Sequence, residues 1–187
     1  MKTTLHRLGI AGLLGTAACT NAPIVYDAGP STSSYMDGEF EAAARDGEVR
    51  TEVLGNPFGV PQDRVESAVT SAMRGANRGP DVAFTTHPGT TSPGVAASPY
   101  KVVVAFDLPV GLVNSSICAP SGAYPVRSGG AVSMTAAFCR DGSLMSHGTA
   151  SFDSPVGIDS PGFRALVRNA TYAMIPPIDR KNVGGVR

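Results

Sequence analysis

The sequence lacks the short motifs that mark common catalytic and cofactor sites. It contains no G-x-S-x-G, no P-loop and no G-x-G-x-x-G. Its three histidines are scattered, so no H-x-x-x-H ligand pair exists. Neither Cys118 nor Cys139 lies in a C-x-x-C motif. We therefore predict a protein without enzymatic activity, without a metal site and without a cofactor.

Two local patterns contain the residue types of a hydrolase but not the arrangement. Residues 98–101 (SPYK) match S-x-x-K, yet a proline follows the serine and a valine-rich strand follows the lysine. Ser146 and His147, with Asp141 or Asp153, supply the residue types of a triad. Neighbours on a strand point to opposite faces, so we expect His147 to be an ordinary exposed strand residue. A hydrolase stays open as a third possibility.

An excess of charge of either sign is also missing. The chain has 15 basic and 15 acidic residues, and the basic ones form no cluster in sequence. A nucleic-acid-binding domain would need a basic face, so we predict no nucleic-acid partner. No polybasic run is present that could hold an anionic membrane surface.

No hydrophobic run is long enough to cross a bilayer, which takes about 20 apolar residues. The longest candidate is Leu8 to Ala18, an apolar stretch of eleven residues that follows the positively charged segment Met1 to Arg7. A short basic segment before a short apolar one is typical of an export signal. We predict that residues 1–18 are removed from the mature protein.

The end of this signal resembles the lipobox of bacterial lipoproteins. Thr16-Ala17-Ala18-Cys19 places small residues before a cysteine, although the family usually has leucine where Thr16 stands. The resemblance implies that Cys19 carries a lipid and becomes the N-terminus, which would anchor the protein firmly to a membrane. Thr20, where an aspartate would mark inner-membrane retention in enterobacteria, favours the outer membrane, facing the periplasm. An ordinary secretory signal that releases a soluble protein is the alternative.

Hydrophobic periodicity divides the rest of the chain. Residues 20–38 are rich in Pro, Gly, Ser and Thr, so we expect a flexible, lipid-anchored tether over 19–47. A single domain is predicted over 48–177, followed by a disordered tail over 178–187.

Within that domain the order of elements is strand, helix, strand, hairpin, helix. Strands are predicted at 48–54, 101–108, 131–139 and 143–152, with a further short candidate at 81–86, and amphipathic helices follow Pro61 and Pro161. The order favours an α+β two-layer sandwich, with an antiparallel or mixed sheet of about four strands and two amphipathic helices on one face. In topology alone it resembles small α+β envelope lipoprotein domains such as the lipopolysaccharide-assembly lipoprotein.

Two cysteines remain once Cys19 is lipidated. In an oxidising compartment we expect Cys118 and Cys139 to form a disulfide, with two buried free thiols as the alternative. If residues 131–139 form one straight strand, the loop that carries Cys118 must fold back along the sheet to reach Cys139.

These observations favour a non-enzymatic envelope lipoprotein that acts as an interaction or assembly module, with the membrane and an envelope protein as partners. The alternative is a periplasmic carrier of a small apolar or lipidic ligand. The interior of the domain distinguishes them, because a carrier needs a pocket and a module needs only a packed core. The residues expected to line such a pocket are Val102, Val104, Phe106, Met134 and Phe138.

Overall fold

The computed structural model describes residues 22–30, 38–89, 93–108, 115–119, 131–153 and 157–175. The strands are β1 (Ile24–Pro30), β2 (Glu48–Leu54), β3 (Ala83–Thr85), β4 (Tyr100–Phe106), β5 (Val132–Arg140) and β6 (Ser143–Phe152). The helices are α1 (Glu39–Ala43), α2 (Gln62–Met73), α3 (Pro93–Ala96) and α4 (Pro161–Met174), and Ser115–Cys118 forms a 3-10 turn. Among these residues, no helix has the length and apolar character needed to cross a membrane.

The strands form one mixed sheet in the order β1-β6-β5-β4-β2-β3. In the part of the sheet ordered β1-β6-β5-β4, each strand runs antiparallel to its neighbour. β2 pairs in parallel with both β4 and β3. The predicted α+β class and mixed sheet are confirmed. The predicted number of about four strands is wrong, because β1 and the short β3 extend the sheet to six.

The expectation of a flexible tether over 19–47 is wrong for two stretches of that segment. Residues 24–30 form β1, which pairs with β6 through six residue pairs. Residues 39–43 form α1, which buries Phe40 and Ala43 in the core. Backbone hydrogen bonds to β6 stabilise β1, and such bonds do not require a particular pattern of side chains. The composition of residues 24–30 therefore gave little sign of a strand. The signal at residues 1–18, Cys19 and the tail at residues 178–187 lie outside the described residues.

Helices α2 and α4 bury the apolar stripes that their spacing predicts. In α2 the buried residues are Val65, Val69, Ala72 and Met73, and the chain turns away at Gly75, whose φ is +63°. Helix α4 begins at Pro161, and the Ser160 hydroxyl before it accepts a hydrogen bond from the Phe163 amide at 3.1 Å. Both helices contribute these stripes to one core on the same face of the sheet.

The central strands β4 and β5 are buried on both faces, which explains the run of valines in β4. On the face covered by α2 and α4, Val102, Val104 and Phe106 pack in the main core. On the opposite face a smaller core joins β4, β5 and β6 to the 3-10 turn. It contains Val103, Ala105, Ile117, Cys118, Ala137, Cys139 and Leu144.

The predicted disulfide between Cys118 and Cys139 is confirmed. Their Cα atoms are 5.7 Å apart, and 21 positions separate them in sequence. The 3-10 turn that carries Cys118 packs against β4, β5 and β6. Residues 115–118 therefore lie along the sheet, where Cys118 reaches Cys139.

Candidate functional site

The five residues named as a possible ligand pocket fill the core instead. Val102, Val104, Phe106, Met134 and Phe138 are all fully buried in the main core. Ring contacts close the space around the two phenylalanines. Phe106 stacks with Phe163 at 6.1 Å between ring centroids, and Phe138 meets Phe40 edge to face at 5.6 Å. These residues form a packed interior and do not line a pocket.

The S-x-x-K pattern at 98–101 is structural. The Ser98 hydroxyl accepts a hydrogen bond from the Tyr100 amide at 3.2 Å, in the turn before β4. Lys101 lies in β4 and pairs with Glu52 of β2, with 2.9 Å between nitrogen and oxygen. The two side chains therefore have separate partners, and the lysine lies on a strand rather than on the helix that this catalytic motif requires.

Ser146 and His147 lie on opposite faces of β6, as predicted. Ser146 is fully buried and pairs in register with Phe138, a residue of the main core. His147 pairs with Ala137, which belongs to the smaller core on the other face. The structure does not bring these two side chains together as a catalytic pair requires.

A buried carboxylate that sequence reasoning missed connects α1 to the sheet. Glu39 is 6% exposed. Its Oε2 accepts a hydrogen bond from the Tyr100 hydroxyl at 2.6 Å, and its Oε1 accepts one from Arg140 Nη1 at 2.5 Å. Glu39 lies in the expected tether, so nothing in its local sequence indicated burial. Its partners are 61 and 101 positions away.

This arrangement changes the acidity of both partners. The pKa of Tyr100 is raised, mainly because its hydroxyl donates to the Glu39 carboxylate and also because the ring is partly buried. The pKa of Arg140 is raised by its interactions with Tyr100 and with the Glu39 charge. Because each carboxylate oxygen accepts a hydrogen bond from a strand residue, Glu39 joins α1 to β4 and β5.

A solvent-facing hollow of about 310 Å³ lies between α2 and the end of β3. Two carboxylates, Asp63 and Glu66, share it with several hydroxyl groups. The lining residues are Asp63, Glu66, Ser67, Thr70, Phe84, Thr85, Thr86 and His87. In the part of the chain that the structure describes, no group of three or more His, Cys, Asp or Glu side chains could hold a metal ion. The hollow offers hydrogen bonds to a small polar molecule.

Comparison with known proteins gives no family for this chain. No protein-family model matches it, and no curated protein matches it. Among solved structures, a PelC dodecamer from Paraburkholderia phytofirmans is similar over 83% of this chain and 99% of its own, with a TM-score of 0.45 and 13% identity. A variant of that PelC dodecamer is similar over 82% of this chain and 98% of its own, with a TM-score of 0.42 and 12% identity. Likeness at this distance carries no argument about function.

Proposed function

We propose that this protein is a bacterial envelope lipoprotein, anchored through Cys19, whose domain acts as a non-enzymatic interaction or assembly module. The anchor would hold it at the periplasmic side of the outer membrane, and an envelope protein would be its partner. The signal and lipobox pattern of residues 1–19 supports the anchor.

The filled core is the observation that favours a module over a carrier. A carrier of an apolar ligand needs an internal space lined by apolar side chains. Here the five central residues named above are fully buried against α4, α1 and one another. Binding is therefore assigned to the surface of the domain.

The disulfide supports export. Structural disulfides persist in oxidising compartments such as the bacterial periplasm and are rare in the cytosol. The bond between Cys118 and Cys139 joins the 3-10 turn to β5 on the second face of the sheet, where both residues are buried. It therefore contributes to the structure of the domain and fits a protein that folds outside the cytosol.

The edge of the sheet at β1 is the surface best suited to a protein partner. Among the described strands β1 is the terminal one, and its inner side pairs with β6. An extended segment of another protein could add to it through backbone hydrogen bonds. The opposite edge, β3, has only three residues and offers much less.

The anchor is tested by the intact mass of the protein extracted from membranes of its native host. We expect the mass of residues 19–187 plus acyl groups, and loss of those groups together with membrane association in a Cys19→Ala variant. An unmodified, soluble mature chain would refute the anchor.

The module is tested by a photo-crosslinking amino acid at Ala28, an exposed residue of β1, in the native host. The matched control carries the same amino acid at Ser71, which is exposed on α2. We expect a discrete protein adduct from position 28, absent from position 71 and weakened by Cys19→Ala. Equal labelling at both positions would count against β1 as the partner surface.

A further inference from the structure

Three arginines lie around the C-terminal end of α2, two of them four residues apart in the chain that leaves this helix and the third contributed by α4. We call Arg74, Arg78 and Arg168 the arginine cluster. Arg168 of α4 donates to the carbonyls of Arg74 and Gly75, each at 3.4 Å. Arg78 donates to the carbonyl of Ile175 at 2.7 Å. The fold thus assembles a basic surface that the sequence, without any polybasic run, does not show.

The cluster keeps donors available for an external anion. The bonds to carbonyls at the ends of α2 and α4 use two nitrogens of Arg168 and one of Arg78, whereas each guanidinium carries five N–H groups. No ion pair joins the three arginines to a carboxylate within the described residues.

Two other arginines of the same helices lie nearer their N-terminal ends, Arg64 in α2 and Arg164 one turn before Arg168 in α4. Arg64 of α2 pairs with the Asp159 carboxylate at 2.6 Å, and Arg164 of α4 donates to the Asp159 carbonyl at 2.7 Å. Arg64 and Arg164 lie on the same two helices as the arginine cluster, but both contact the acidic residue Asp159. They provide a control pair whose removal changes the charge by the same amount.

Exposed apolar side chains accompany the arginine cluster. Tyr172 of α4 is 52% exposed, and the Arg78 guanidinium lies 3.9 Å from the centre of its ring. Ile24, at the start of β1, is 60% exposed. An arginine against an exposed tyrosine suits the headgroup region of a bilayer, and Ile24 adds an exposed aliphatic side chain next to Pro23, which α4 contacts.

The course of the chain near Cys19 would place a membrane anchor close to α4. Asn169 of α4 donates to the carbonyl of Pro23, at 3.4 Å. Pro23 is four residues from Cys19, and four extended residues span only about 13 Å. If Cys19 carries the anchor, the bilayer surface therefore lies close to α4.

We propose that the arginine cluster, with Tyr172, docks the domain on the anionic phosphate groups of the lipid surface in which Cys19 is anchored. The proposal rests on the proposed function for the nearness of that surface. Docking would fix the orientation of the domain and leave most of the β1 edge accessible to a partner.

The test uses the mature chain, residues 19–187, with Cys19→Ser so that no acyl group contributes. Its sedimentation is measured with vesicles of phosphatidylcholine alone and with vesicles containing an equal amount of phosphatidylglycerol. We expect binding to the anionic vesicles only, weakened by added salt because screening shortens the range of the attraction.

The decisive comparison is between two double variants with the same loss of charge. Arg74→Gln with Arg168→Gln should lower the partition coefficient roughly thirtyfold, which corresponds to about 1 kcal/mol for each basic residue at an anionic surface. Arg64→Gln with Arg164→Gln should lower it far less. Equal losses, or equal binding to neutral vesicles, would overturn the proposal. Circular dichroism and the melting temperature identify any variant that is not folded.

A fluorescent reporter tests the position of Tyr172 directly, since the chain contains no tryptophan. Tyr172→Trp should give an emission that shifts to shorter wavelength on anionic vesicles and is quenched by brominated lipid. Ser67→Trp, exposed on α2 at the hollow, should show neither effect. Similar behaviour of both reporters would overturn the proposed orientation.

These measurements separate the two proposals. If the protein does not bind anionic vesicles but the native protein is acylated, the docking surface is refuted and the anchor is retained. If the protein binds anionic vesicles but the native protein carries no acyl group, the anchor is refuted and a peripheral membrane-binding surface is retained.

Discussion

At the scale of single residues, Gly148 controls how closely α4 approaches the sheet. A Cβ atom at this position of β6 would lie 2.5 Å from the Ala170 carbonyl oxygen and 2.6 Å from the Met174 amide nitrogen. Both are backbone atoms of α4, so no side-chain rotation can relieve the clash. We predict that Gly148→Ala lowers the free energy of unfolding by about 1–3 kcal/mol, as overpacking does elsewhere. Urea denaturation followed by circular dichroism measures the change.

Gly157 is the matched control for that substitution. No atom lies within 4 Å of a Cβ built there, and its φ is not positive. Gly157→Ala should be neutral, or stabilising by up to about 1 kcal/mol through the unfolded chain. An equal loss of stability in both variants would show that α4 does not depend on the close approach at Gly148.

The hydrogen bond between Tyr100 and Glu39 predicts a loss of stability at alkaline pH. The pKa of Tyr100 is raised in the folded protein above its usual value of about 10, because its hydroxyl donates to the carboxylate. With rising pH the unfolded tyrosine therefore loses its proton before the folded one. The contribution is complete below about pH 10 and falls as the pH passes through the raised pKa.

Tyr100→Phe measures this contribution. The difference in free energy of unfolding between the unmodified protein and Tyr100→Phe should be constant near neutral pH and should shrink above about pH 10. Tyr172→Phe controls for the removal of a tyrosine hydroxyl at an exposed position. A difference that stays constant at alkaline pH would contradict the role assigned to this hydrogen bond.

At the scale of elements, the sequence was informative wherever one element carried its own pattern. The apolar stripes of α2 and α4 and the hairpin of β5 and β6 are local, and their predictions are confirmed. β1 and α1 were missed for the opposite reason. They depend on partners supplied by β6, and by Tyr100 and Arg140, which no local period encodes.

The disulfide is the element-scale feature with the most direct stability test. It joins the 3-10 turn to β5 by closing a loop of about 22 residues, which the chain-entropy account values at roughly 3 kcal/mol. We predict that Cys118→Ala with Cys139→Ala lowers the free energy of unfolding by about that amount. Reduction of the unsubstituted protein should produce a similar loss. Unchanged stability after both treatments would show that packing alone holds the turn.

At the scale of the whole molecule, the surface charge pattern was the part least open to sequence reasoning. The chain has equal numbers of basic and acidic residues. Only the packing of α4 against the end of α2 brings Arg168 next to Arg74, 94 positions earlier. The composition therefore gives the total charge correctly, but the distribution of charge over the surface can be seen only in the folded structure.

The folded domain begins well before residue 48, because β1 belongs to its sheet. This leads to a final prediction about where the chain can be shortened. A chain that starts at residue 38 would leave β6 as an open edge and would remove the contact between β1 and α4. Several backbone hydrogen bonds would be lost, each worth about 0.5–1.5 kcal/mol. We expect a fall of about 3 kcal/mol or more in the free energy of unfolding, and aggregation through the exposed edge. A chain that starts at residue 22 keeps β1 and should match one that starts at residue 19. If the chains from residues 22 and 38 are equally stable, β1 is an accessory strand and residues 38–175 alone are the folding unit.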